Sequence, residues 1–88
     1  MSDEKTLLEF PCRFPVKAMG RDDGAFDALV TSIVRRHAPD LGEGAVNTQP
    51  SRNGHFLAVT ITITATGREQ LDAIYRDLSD CEQVLMAL

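Results

Sequence analysis

The sequence predicts an α+β domain, with four strands and two helices in the order β-α-β-β-α-β and both helices on one face of an antiparallel sheet. Three observations carry that expectation. Two segments, around 23–38 and 66–79, repeat apolar residues at helical spacing. The stretch "VTITITA", Val59 to Ala65, alternates apolar residue and threonine as a half-buried strand does. Asn53-Gly54 marks a hairpin turn between that strand and a polar one before it.

Residues 1–6 are polar and charged and are expected to form a flexible tail, with a single domain over 7–88. In "FPCRFPVKAMG", Pro11 and Pro15 bias their neighbours toward extended backbone. A strand from about Phe14 to Met19 is expected, with Phe14, Val16 and Ala18 on one side. Asp23 is the expected N-cap of the first helix, and Phe26, Leu29, Val30, Ile33 and Val34 form its apolar stripe. Arg35, Arg36 and His37 suit the negative end of the helix dipole, and Pro39 stops the helix.

The next strand, about Ala45 to Arg52, contains Pro50, which cannot donate to a ladder and marks an edge. The strand from about His55 to Ala65 is long, uncharged beyond His55 and β-branched, so it belongs in the centre. Thr66 and Glu69 fit a capping box, and Leu71, Ile74, Tyr75 and Leu78 form the stripe of a second helix. "CEQVLMAL" closes the chain as a strand. Right-handed crossovers place the first and third strands in the middle, the arrangement of a ferredoxin-like plait.

Composition narrows the function classes. The net charge is −4 and the pI about 4.9, without the overall basic excess of a nucleic-acid binder and poorly suited to anionic membranes. Nucleic acid and membrane are therefore excluded as expected partners. Cys12 and Cys81 form no CxxC pair, and the first ten residues lack the apolar core of a secretory signal. A reducing cytoplasm is expected, which argues against a Cys12–Cys81 disulfide even if the terminal strands are neighbours. His37 and His55 lack metal-ligand spacing to each other or to the cysteines, so no metal site and no cofactor is expected. No acid, base or nucleophile constellation is legible, so the expectation is not an enzyme.

Two surfaces remain as candidates. On the third strand, Phe56, Thr60, Thr62 and Thr64 should point away from the helices onto an open sheet face. Threonine suits that place simply by being β-branched with a hydrated hydroxyl, and the same row could dock a partner or ligand. An RNA-recognition motif would need stacking aromatics there, and only Phe56 is aromatic. The last strand adds Val84 and Met86, with Leu85 and Leu88, as an uncharged edge. Such an edge is expected to be covered by the segment around Leu7–Phe10 or to pair with another chain. The second candidate is the turn "MGRDDGAF", with Gly20, Arg21, Asp23 and Gly24. ACT-type regulatory domains place a glycine at the equivalent turn so that a small ligand reaches the helix N-terminus. Asp22 and Asp23 would oppose an anion there, and a capped, flexible turn explains the same residues.

The pieces "LLEFPCRFPVKAMG", "IVRRHAP", "PSRNGHFLAVTITITAT", "LDAIYRDL" and "VLMAL" resemble the YbeD family of small bacterial proteins, from Leu7 to Leu88. The resemblance implies the βαββαβ plait, akin to the ACT-like regulatory domain of phosphoglycerate dehydrogenase. It implies no settled activity, and an association with lipoate metabolism by gene neighbourhood only. Phe56 departs from the tyrosine expected in the family, which removes a hydroxyl from the open face. Two readings follow, the first preferred mainly on the resemblance and the second its alternative. One is a regulatory or ligand-sensing domain with a small metabolite at Gly20–Gly24, between two copies of the chain. The other is a protein-interaction domain acting through the open face or the edge strand.

Overall fold

Alternation along two long strands sets the architecture. In the computed structural model, which describes residues 8–88, β1 (Cys12–Arg21) pairs with β3 (Phe56–Ala65) in continuous antiparallel register from Cys12↔Ala65 to Arg21↔Phe56. The expected tail over 1–6 lies outside the described residues. Helix α1 (Phe26–Arg35) follows β1, β2 (Val46–Pro50) precedes β3, α2 (Arg68–Ser79) follows β3, and β4 (Met86–Ala87) ends the order. The sheet runs β2-β3-β1-β4, so the first and third strands are central and Pro50 ends an edge strand, as the sequence implies.

One face of the sheet carries the core. Leu57, Val59, Ile61, Ile63 and Ala65 of β3 and Val16 and Ala18 of β1 are buried against Phe26, Val30, Ile33 and Val34 of α1 and Leu71, Ile74 and Leu78 of α2. Burying each large apolar side chain contributes about 1.5–3 kcal/mol. Among the described residues no polar or charged side chain is buried. Cys12 and Cys81 are both free thiols.

Local details depart from expectation in four places. Helix α1 starts three residues after Asp23, with Ala25 as N-cap and no side-chain cap. Asp22 and Asp23 instead accept hydrogen bonds from the N–H groups of Gly24 (3.3 Å) and Ala25 (2.9 Å), and Gly24 turns the chain at φ +87°. The β2–β3 loop is not a two-residue primed turn. Ser51 still pairs with Phe56, Gly54 N–H donates to Ser51 O at 2.9 Å, and only Gly54 has positive φ. The Ser51 hydroxyl accepts from Phe56 N–H and donates to Asn53, which fixes this longer loop.

At α2 the N-cap is Gly67, so the residue that reaches back is Gln70, not Glu69. Its Oε1 accepts from Thr66 N–H at 2.8 Å, and its Nε2 donates to His37 O at 2.8 Å, which ties α2 to the end of α1. The last strand is also much shorter than 81–88. A turn closed by Val84 N–H to Cys81 O folds Val84 toward the core, and pairing with β1 spans only Leu85 to Leu88.

Candidate functional site

The open sheet face is built by strand alternation. Every second residue of β1 points to it, giving Arg13, Pro15, Lys17, Met19 and Arg21, all exposed. Opposite them on β3 stand Thr64, Thr62, Thr60, Ala58 and Phe56. Asn47 and Gln49 of β2 flank Thr60 and Ala58, and Met86 of β4 flanks Met19. The threonine row lies where the sequence places it, on the face away from the helices. Thr60 and Thr62 are half-buried and Thr64 is exposed.

The charge on this face is what sequence reasoning missed. Arg13, Lys17 and Arg21 lie four residues apart on one strand, about 13 Å from one to the next by strand rise. None of the four strands contains an aspartate or glutamate. All carboxylate side chains of the described residues sit on helices and loops. Among the described residues none of these three cations takes part in an ion pair. The signal was available, since positions separated by an even number share a face of a strand. A net charge of −4 averaged over the whole chain conceals it.

Two depressions shape the face. One of about 70 Å³ lies between Met19, Ala58, Met86 and Leu88, with Lys17 and Thr60 at its rim, and is almost wholly apolar. A larger, open and polar cleft of about 390 Å³ separates Arg13, Thr62 and Thr64 from the loop carrying Asp40, Gly42 and Gly44. At the far end Arg21 lies over the ring of Phe56, 5.7 Å from its centroid.

The Gly20–Gly24 candidates do not converge on one site. Gly20 is buried facing the helices, and a side chain there would overlap the Phe26 ring and the Gln83 carbonyl oxygen. Its glycine is therefore explained by packing. Arg21 points to the open face with Phe56, while Asp23 and Gly24 belong to the turn before α1. Of the edge candidates, Met86 is 50% exposed on the open face, and Val84 packs inward against the core. Leu8 faces a groove with Phe14, Leu71 and Tyr75, so this part of the Leu7–Phe10 segment does not cover Met86; Leu7 lies outside the described residues.

The edge of β1 beyond β4 is blunted by its own sequence. Lys17 exchanges both backbone hydrogen bonds with Leu88 (3.2 and 2.8 Å), so Pro15, two residues earlier, aims its proton-less nitrogen at the same outer edge. A strand cannot continue past Leu88 along β1 with a full ladder. Short pairing and an edge proline are both recognised ways of blunting a sheet.

Residues 5–88 match the family model described as a protein of unknown function, DUF493. The chain belongs to that family. Its curated relatives are called UPF0250 proteins, the group that contains the YbeD proteins its sequence resembles. The relative from Chromobacterium violaceum is 52% identical over 89 residues, covering 100% of both chains. The Nitrosomonas europaea protein NE1487 is 45% identical and covers 97% of this chain and 98% of its own. Protein HP0495 of H. pylori, known as a solution structure, superposes with a TM-score of 0.71 at 11% identity, over 100% of this chain and 94% of that one. At that identity the likeness concerns the fold. Among the described residues no helix is long and apolar enough to cross a membrane.

Proposed function

We propose that this chain is a protein-interaction domain that works through the open face of its sheet. The observation that supports it is a row of three cations, Arg13, Lys17 and Arg21, on strands that carry no aspartate or glutamate, free of ion pairs among the described residues although Asp40 borders the cleft beside Arg13 and Asp23 and Glu82 stand near Arg21, on a chain whose overall charge is −4. Charges left unpaired on a flat, accessible surface favour a partner of opposite sign. Like charge opposes stacking two such faces together, so a second copy is a poor occupant.

The regulatory reading, with a small metabolite at Gly20–Gly24 and the lipoate association that the family resemblance implies, has less support. Gly20 is filled by packing, and the amides of Gly24 and Ala25 are already bonded to Asp22 and Asp23.

The test is a photoreactive side chain introduced at Thr62 on the open face and, separately, at Asp72 on α2, in the native cell. A discrete adduct from Thr62, absent from Asp72 and lost on adding Lys17→Glu, is the expected result. Equal adducts from both positions, or none from Thr62, would count against the reading. An amide-resolved titration with pooled metabolites, lipoate-related compounds included, addresses the competing reading. Saturable shifts confined to Gly20–Ala25 would reinstate it.

A further inference from the structure

The apolar dimple sits between two cations, and that order points to a class of partner. Lys17, Met19 and Arg21 follow one another at two-residue steps on one face of β1, about 6.7 Å each. An extended polypeptide lying over β1 repeats the same step on its own facing side. We infer that the occupant of the open face is an extended acidic segment of a partner protein, with one apolar residue and a carboxylate two positions to either side. This inference rests on the interaction-domain reading.

The apolar side chain enters the depression between Met19, Ala58, Met86 and Leu88, whose volume of about 70 Å³ suits a single side chain. Aliphatic anchors in small apolar pockets carry a large share of binding energy at interfaces. One carboxylate meets the Lys17 ammonium. The other meets Arg21, whose guanidinium lies over the Phe56 ring and carries the paired N–H donors that suit a carboxylate. A longer acidic segment continues to Arg13 beside the polar cleft. A polypeptide is favoured over a single-stranded nucleic acid because the face has an apolar seat between its cations and a single aromatic, Phe56, against which a base could stack. A second copy is disfavoured by the like charge of the two faces.

The probe is a short fluorescent peptide centred on glutamate, serine, leucine, serine, glutamate, titrated into the full chain and read by anisotropy. Saturable binding is expected. Lys17→Glu should weaken it at least about tenfold, and rising salt should weaken it further. A peptide with serine for the leucine, and one with both glutamates moved next to the leucine, should each bind about tenfold or more weakly. Lys17 is exposed, so the variant should keep the wild-type amide spectrum and any loss is read on a folded chain. Equal binding of the rearranged peptide, indifference to Lys17→Glu, stronger binding of a single-stranded oligonucleotide, or self-association through this face would each overturn the inference. If the Thr62 adduct forms and depends on Lys17 while the peptide stays unbound, the inference falls and the interaction reading stands. If neither occurs, both fall.

Discussion

The ring of Phe26 stands where a side chain on Gly20 would stand. Phe26 opens α1 and is 2% exposed, and Gly20 is the point where β1 passes beneath it. The glycine lets helix and strand approach closely, with the Gln83 carbonyl closing the third side. Gly20→Ala is therefore expected to destabilise the fold by about 1–3 kcal/mol through overpacking. Gly24→Ala meets no atom within 4 Å but must adopt φ +87°, and is expected to cost about 1 kcal/mol. Urea denaturation of the two variants checks the order. A smaller loss for Gly20→Ala than for Gly24→Ala would refute the packing account.

Asp77 links the ends of the two helices. Its Oδ2 lies 2.7 Å from His37 Nε2 and 3.5 Å from the Arg36 guanidinium. The hydrogen bond from His37, more than the charges of His37 and Arg36, holds the carboxyl below its ordinary value of 3.8, against the opposing effect of desolvation. A carboxyl with a depressed folded-state pKa stabilises the fold fully above 3.8, and that contribution is lost as the pH falls through the folded value. Asp77→Asn is expected to lower stability at neutral pH and to flatten the acid limb of the stability profile. Denaturation at a series of pH values between neutrality and the acid limb measures both. An unchanged acid limb would mean that Asp77 does not act through its ionisation.

The C-terminal strand hangs on a side chain as well as on its ladder. The Tyr75 hydroxyl donates to the Leu88 carbonyl at 2.6 Å, and partial burial raises its pKa above 10.0. This is the chain's single tyrosine, so absorbance of the tyrosinate reports it alone. Its titration should begin above the range of free tyrosine, with the stabilising effect present below 10.0 and lost as the pH rises through the folded value. Tyr75→Phe is expected to cost about 0.5–1.5 kcal/mol and to speed hydrogen exchange at Leu88 and Lys17 more than in β3. Uniform exchange across the sheet would show that the hydroxyl does not anchor the edge.

The strand order was legible because two independent arguments, Pro50 at an edge and the β-branched run of β3 in the centre, select the same topology. What escaped was decided by competition among near-equal local choices. Asp22 and Asp23 both suit a cap, and both spend their oxygens on amides of the preceding turn once Gly24 has a positive φ. Thr66-Gly67 offers two starts for α2, one residue apart, and the shift exchanges the roles of Glu69 and Gln70. For the candidate surface, the threonine row was legible from alternation alone. The cations facing it are not legible as a group: Arg21 reads as part of the turn before α1, and Arg13 and Lys17 occur singly in sequence among apolar and proline residues, so the three come together only on the folded face.

Among the described residues every carboxylate side chain sits on a helix or loop, while the open sheet carries three cations, so charge is unevenly sorted between the surfaces. Copies of the chain repel one another on average through their net negative charge, which opposes aggregation in a crowded solution. An acidic partner of the kind inferred above would be repelled at long range from most directions and turned toward the sheet as it approaches. For such a partner the sorting of charges would act before any contact is made, by selecting the orientation of productive collisions, and would fade as ionic strength rises.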